Sequence, residues 1–178
     1  GIGTQYYNAD GTSCTNWDSP VERATLYACW TGICYTVSFN ANGGAGSMDN
    51  QAFTYGEEQP LTANTFTKTG HTFLGWDRDE SADTVVYEDS EPVKDLTATD
   101  GETVPLYAVW DSDQTAITLD DMGGSGGSGS VTAVYGEAMP SVTIPEKTGY
   151  TFTGYFADSD GIGTQYYNAD GTSCTNWD

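Results

Sequence analysis

Four cysteines are the side chains of this sequence best suited to covalent chemistry: Cys14, Cys29, Cys34 and Cys174. None of them has the paired spacing of a zinc site, so disulfide formation is the chemistry that they favour. Cys174 repeats Cys14 within a longer duplicated stretch. A disulfide in such a chain would indicate an oxidising, extracellular setting.

Acid–base catalysis has few candidate residues. His71 is the only histidine, and the matching place in the second half of the chain holds Tyr150, which favours an ordinary ring on a strand. Carboxylates are abundant but fall mostly in turn-forming stretches. The acidic runs at 77–80 and 158–161 alternate oxygen ligands, although neither completes a calcium loop. We therefore predict no enzymatic activity, no catalytic residues, no metal ligands and no cofactor, with calcium binding kept as an alternative.

The first 18 residues, GIGTQYYNADGTSCTNWD, return unchanged as residues 161–178. Identity of this kind indicates one repeating sequence with a period of 160 residues, whose two ends overlap. We expect the chain to be a slice of a longer tandem array, or a subunit whose ends complete each other between molecules.

A weaker repeat of about 80 residues lies inside the longer one. Residues 32–111 form a complete unit, here called module B. The other unit, module A, is divided into a body at 112–178 and a tail at 1–31. The matching landmarks are Gly43 and Gly123, Tyr55 and Tyr135, Gly70 and Gly149, Gly75 and Gly154, and Tyr87 and Tyr167.

The module A body lacks its last strand. ATLYACW at 24–30 is the counterpart of VPLYAVW at 104–110, and it stands at the far end of the chain from that body. An open sheet edge accepts a strand through backbone hydrogen bonds, so the following residues are candidates for strand addition between copies: Ala24, Thr25, Leu26, Tyr27, Ala28, Cys29 and Trp30. Residues 1–18 and 161–178 would then compete for one place, which favours a covalently continuous array.

Alignment of the modules also suggests how the cysteines pair. It places Cys14 and Cys29 at two valines of module B, so we expect both to face one interior and predict a Cys14–Cys29 disulfide. Closing a loop of about 15 residues would contribute about 3 kcal/mol in the chain-entropy model. The alternatives are two thiols that pack without bonding, or competition from Cys34. Cys174 has no partner in its module body, so its expected partner is the counterpart of Cys29 in the next repeat.

Composition excludes several classes of partner. The net charge is −21, from 26 acidic and 5 basic residues, which argues against nucleic acid and against anionic membranes. The sequence has no apolar run long enough to span a bilayer and no signal peptide. We therefore predict no nucleic-acid binding and no membrane insertion.

Short β-branched and aromatic segments separated by turn residues predict a strand-rich fold. The predicted strands are Tyr35–Asn40, Gln51–Tyr55, His71–Trp76, Val104–Trp110, Val131–Tyr135 and Tyr150–Phe156. The predicted helices are short: Glu91–Ala98 in module B, and its counterparts Gly11–Trp17 and Gly171–Trp177. The fold class expected is β-rich α+β, with tandem small modules that each contain a twisted sheet and one short helix.

Three blocks carry a family resemblance. YTVSFNANGGAGS, TGHTFLGW and LYAVW, in this order, resemble the Listeria–Bacteroides repeat family, which includes the B repeat of listerial internalins. Module A departs from the pattern with Tyr155 where module B has Trp76. The resemblance covers nearly the whole chain. It implies a β-grasp-like module and tandem copies in bacterial surface proteins, and it implies neither catalytic residues nor a constant ligand.

Three functions compete on this basis. The first is an extracellular stalk or spacer of an adhesin, which the short junctions at 31–34 and 111–114 support. The second is a filament completed head-to-tail by strand addition. The third is a glycan- or protein-binding module that uses Tyr6, Tyr7 and Trp17. The expected partners are neighbouring copies of the repeat, and a host or cell-wall ligand of the parent protein. The expected location is the bacterial cell surface or the secreted fraction.

Overall fold

The computed structural model describes residues 4–17 and 24–178 of the chain. The chain divides into two compact units, residues 1–31 and residues 32–178. Regular secondary structure in the described residues consists of strands, all of them in the second unit. The strands are β1 (Cys34–Asn40), β2 (Gln51–Thr54), β3 (Gln59–Pro60), β4 (His71–Asp77), β5 (Pro92–Val93), β6 (Thr103–Ser112), β7 (Gln114–Thr118) and β8 (Ser130–Val134).

Module B is built on a four-stranded sheet in the order β2-β1-β6-β4. Its central strand β6 runs parallel to β1 and antiparallel to β4. Along β6, Val104, Leu106 and Ala108 are buried while Pro105 is exposed, as the two-residue period of a strand requires. These residues pack with Trp76 into the main core of the molecule. The strands predicted in module B are confirmed, within two residues at each end.

Gly75 interrupts the pairing of β4 with β6. The register shifts between Phe73 and Gly75, and Gly75 has a φ of 156°. A Cβ at this position would lie 2.5 Å from a methyl group of Val85 and 2.6 Å from the carbonyl oxygen of Tyr87. The glycine therefore marks a β-bulge and a close approach of another segment of backbone.

The prediction of short helices is wrong. Residues 4–17 and 24–178 contain no helix, so the fold class is all-β rather than α+β. Within the predicted helix Glu91–Ala98, Pro92 and Val93 form β5 and pair with β3. Ser90, which directly precedes the predicted helix, has a φ of 59° and Asp95 has a φ of 55°, and these left-handed residues turn the chain where a helix would have to begin and continue.

The two other predicted helices are turns of identical form. Cys14 N–H donates to the Tyr6 carbonyl at 2.9 Å, and Cys174 N–H donates to the Tyr166 carbonyl at 3.0 Å. The glycine at each turn, Gly11 or Gly171, has a φ near 80°. Because the same residues fold alike in both places, this hairpin-like turn is determined by its local sequence.

The module A body has only a two-stranded sheet, formed by β7 and β8. A smaller core lies against it, with Leu119, Ala133, Met139 and Tyr167 buried. The prediction of a strand at Tyr150–Phe156 is wrong, because residues 150–155 form no ladder and Phe156 makes only an isolated bridge to Gln165. No helix in the described ranges is long and apolar enough to cross a membrane.

Candidate functional site: a tight module junction and an open groove

The junction between module B and the module A body is a single residue. Asp113 is all that separates β6 from β7. Its N–H donates to the carbonyl of Gly70 at 2.9 Å, and its carbonyl accepts from the N–H of Tyr135 at 3.0 Å. Its carboxylate also accepts from the hydroxyl of Thr72 at 2.8 Å. Asp113 thus binds to the turn before β4 on one side and to the end of β8 on the other.

A ring-on-glycine contact closes the same junction. The ring of Tyr135 lies so near Gly70 that an added Cβ would meet it at 2.1 Å, and Gly70 has a φ of 65°. The rings of Tyr135 and His71 are 5.9 Å apart at an angle of 70°. Tyr135 and Gly70 are both repeat landmarks in the sequence, but the spacing of these landmarks does not predict their contact, because it gives no information about contacts between modules.

An open groove lies in the module A body where module B has its central strand. It has a volume of about 650 Å³ and lies between β7 and the segment 152–157. Its apolar lining includes Ile117, Leu119, Met139, Phe152, Tyr155 and Tyr167. Ile117 is half-buried, whereas its counterpart in module B, Val37, is completely buried beside β6. The module A body therefore presents an incompletely covered apolar surface.

A polar pair lines this groove. The hydroxyl of Tyr155 donates to the carboxylate of Asp121 at 2.8 Å. Burial, the hydrogen bond to this carboxylate, and the negative charges of Asp121 and Asp120 raise the pKa of Tyr155 to about 12. Burial likewise raises the pKa of Tyr167. Both phenols are neutral at physiological pH and contribute apolar faces to the groove.

The segment 24–30 is the exposed counterpart of a buried strand. All seven residues are exposed and none belongs to a strand. Leu26 is 52% exposed and Trp30 is 88% exposed, whereas Leu106, the counterpart of Leu26 in module B, is 0% exposed. The structure therefore leaves this sequence without the partners that bury it in the sister module.

The four cysteines are exposed free thiols. Cys14 and Cys29 align with Val93 and Val109 of module B, which are both buried. The two cysteines are exposed, so they do not lie in the common interior that the alignment predicts. The Sγ of Cys174 lies 3.3 Å from the carbonyl oxygen of Gln165. The pairing Cys14–Cys29, and that of Cys174 with a neighbouring repeat, stay predictions, which a count of free thiols without reductant would decide.

The other groups considered for chemistry have structural contacts. His71 Nδ1 lies 2.8 Å from the carbonyl oxygen of Thr69. Asp79 accepts from the N–H and hydroxyl of Ser81, and these hydrogen bonds lower its pKa. In the described residues, no group of three or more histidine, cysteine or acidic side chains is placed to hold a metal ion.

One of the aromatic residues suggested for ligand binding, Tyr7, has a buried counterpart in the second copy of the same sequence. Tyr7 is 58% exposed and Trp17 is 50% exposed, and the Tyr6 and Trp17 rings are 5.2 Å apart. In the second copy of the same sequence, Tyr167 is 0% exposed and packs in the core of the module A body. The exposure of Tyr7 therefore reflects a module segment without its body.

Comparison with known proteins gives a family and two relatives. The Listeria-Bacteroides repeat domain matches residues 35–109 and 116–177. A "Putative membrane protein" of Evansella cellulosilytica is 36% identical over 148 residues, which cover 80% of this chain and 20% of that protein. A "Putative Gly-rich membrane protein" of the same organism is 32% identical over 139 residues, which cover 77% of this chain and 15% of that protein. The chain thus spans a fifth or less of the length of these relatives. No solved structure matches it.

The two matched ranges coincide with the two structural repeats. The first contains most of the four-stranded sheet of module B, and the second contains β8, most of β7 and the residues that line the open groove. The first two sequence blocks that suggested the resemblance lie in the first range and have counterparts in the second, whereas the counterpart of the third block lies at 26–30, outside both ranges. The chain belongs to the Listeria-Bacteroides repeat family and carries two tandem repeats of its domain.

Proposed function

We propose that this chain is a non-enzymatic structural segment of an extracellular stalk, in which tandem modules hold a binding region of a longer protein away from the cell surface. The observation that carries the proposal is the junction at Asp113. A linker of one residue removes most of the freedom that two modules would otherwise have. A spacer needs this restriction because flexible modules would fold back on each other.

The contacts at the junction supply the stiffness. Asp113 makes three hydrogen bonds to the two modules, and each such bond typically contributes about 1 kcal/mol. The ring of Tyr135 on Gly70 adds a packed contact that a rotation of one module would break. Connections between domains are usually longer and looser, so a contact of this kind favours a mechanical role.

The names of the relatives, their lengths and the charge of this chain support the extracellular location. The two relatives carry names of membrane proteins, and this chain covers only a small share of each, as expected for one segment of a long surface protein. A net charge of −21 keeps such a segment soluble and discourages contact with anionic surfaces.

The pair Gly70→Ala and Gly149→Ala tests the spacer. Both glycines have left-handed backbone, with φ of 65° and 80°, so both substitutions introduce comparable strain. Only the new methyl group at Gly70 meets Tyr135, because a Cβ at Gly149 has nothing within 4 Å. We expect Gly70→Ala to loosen the junction and Gly149→Ala to leave it intact.

Small-angle scattering on the monomer peak of a gel-filtration column measures the difference. The expected result is one narrow distribution of intramolecular distances for the wild type and for Gly149→Ala, and a broader one for Gly70→Ala. A broad distribution already present in the wild type, or identical profiles for the two variants, would contradict the spacer.

A further inference from the structure

We infer that the open groove of the module A body is a docking site for residues 24–30 of a second copy of this sequence, which enter it as the missing central strand. The partner is therefore the same chain, joined head-to-tail. This inference does not depend on the spacer proposal, because it concerns the groove and the segment 24–30 and not the junction at Asp113.

Module B supplies the template for the docked strand. There, β6 pairs in parallel with β1, with Val37 opposite Val104 and Phe39 opposite Leu106. By the repeat alignment, Ile117 would lie opposite Ala24, and Leu119 opposite Leu26. On its other side, β6 pairs with β4 through the bulge at Gly75, opposite Val109. Gly154 has the same unusual backbone, with a φ of 139°, and would lie opposite Cys29.

The side chains of the segment fit this placement. The positions that β6 buries at Val104, Leu106 and Ala108 are occupied in 24–30 by alanine, leucine and alanine, all exposed in the free segment. In module B, the Trp110 indole N–H donates to the carbonyl of Ala41 at 2.9 Å. Trp30 and Asp121 hold the corresponding positions, so the docked Trp30 would donate to the Asp121 carbonyl.

A second pair of surfaces points to the same arrangement. At the junction within the chain, Tyr135 packs on Gly70. Their counterparts Tyr55 and Gly149 have no such contact: Tyr55 is 42% exposed and Gly149 has nothing within 4 Å of its Cβ position. If the next copy docks its strand 24–30, its module B follows directly, and its Tyr55 reaches Gly149 as Tyr135 reaches Gly70.

The stretch of chain between residue 30 and β1 is too short for residues 24–30 to enter the groove of their own chain. Trp30 is four residues from the start of β1 at Cys34, and four extended residues span at most about 14 Å. The module A body begins beyond the opposite end of the ten-residue β6, a strand that is about 30 Å long. A chain's own residues 24–30 therefore cannot fill its own groove.

The donor needs to supply only its strand. Residues 164–177 already fill their own place in the acceptor, where Tyr167 is buried and hydrogen-bonded to the Pro140 carbonyl at 2.8 Å. The matching residues 4–17 of the donor then stay outside the completed module. In an array that continues past residue 178, the counterpart of residues 24–30 in the next repeat would follow in the same chain and would fill the groove.

Two substitutions to aspartate, at neighbouring positions that face opposite sides of the docked strand, test the inference. Leu26→Asp would place a carboxylate in the apolar groove, whereas Thr25→Asp would place it at the position of Pro105, which is exposed. Both residues are exposed in the free chain, so neither substitution disturbs its folding. Burying an unpaired carboxylate should weaken association at least about a hundredfold.

Sedimentation velocity of the full chain over a range of concentrations is the readout, with salt present to screen the charge of −21. The expected result is head-to-tail oligomers for the wild type and for Thr25→Asp, a monomer for Leu26→Asp, and weakened association for Gly149→Ala. A wild type that is monomeric at every concentration would overturn the inference. Oligomers equally sensitive to both aspartates, or to neither, would also overturn it.

Discussion

At the scale of residues, the two modules place different polar rings at one aligned position, and the hydrogen bonds of these rings differ. Trp76 in module B is completely buried, and its indole N–H has no hydrogen-bond partner among the described residues. Module A has Tyr155 at this position and Asp121 at the position of Ala41, and the carboxylate of Asp121 accepts a hydrogen bond from the phenol of Tyr155. The phenol of module A thus has the hydrogen-bond partner that the indole of module B lacks.

The raised pKa of Tyr155 predicts a pH dependence of stability. Its folded pKa is about 12 against an ordinary value of 10.0, so the folded chain favours the neutral phenol. The stability that this group contributes is fully present below pH 10 and is lost as the pH rises towards 12.

Urea unfolding at pH 9 and pH 11.5 should show a smaller loss of stability for Tyr155→Phe than for the wild type. Asp121→Asn should reduce the loss in part, because it removes the negative charge beside the phenol. Equal losses in all three chains would contradict this assignment.

At the scale of elements, glycines mark the places where segments come close. Gly75→Ala adds a methyl group in contact with Val85 and Tyr87 at a left-handed position, so we expect a destabilisation of about 3 kcal/mol. Gly101→Ala is the matched control, since Gly101 has a φ of 74° and nothing within 4 Å, and should cost about 1 kcal/mol. Chemical denaturation followed by tryptophan fluorescence measures both. Equal costs would show that the contacts at Gly75 do not constrain the bulge.

Sequence reasoning located the strands of module B because alternating burial and β-branched residues leave a local signal. It also identified the counterpart relation between 24–30 and 104–110. It failed at Glu91–Ala98, where Pro92 and Ser90 fit helix capping as well as they fit an edge strand and a left-handed turn. It failed at Tyr150–Phe156 for a different reason, since a strand forms only when its ladder partner is present.

The contacts between modules had no local signal. The ring of Tyr135 on Gly70 joins residues that are far apart in sequence, and each is also explained as an ordinary turn residue. The groove could be anticipated as a missing strand, but its lining by Phe152, Tyr155 and Tyr167 required the fold.

At the scale of the whole molecule, the chain is a repeat in which one module is complete and the other is open. The exposed apolar segment 24–30 and the open groove are complementary in sequence, register and spacing, as judged from module B. Association through them would create a filament, because a head-to-tail contact that does not close on itself continues without limit. The high negative charge of −21 opposes this process, so association should strengthen as salt rises.

Hydrogen–deuterium exchange of the full chain at high and low concentration tests the central claim most directly. Amides that join a sheet ladder exchange slowly, whereas amides of unpaired segments exchange rapidly. The account predicts that residues 24–30 and 150–156 both become protected at high concentration, and that both lose protection on dilution, while β1 and β6 are protected throughout. Rapid exchange in 24–30 and 150–156 at every concentration, or assembly that protects other surfaces instead, would contradict it.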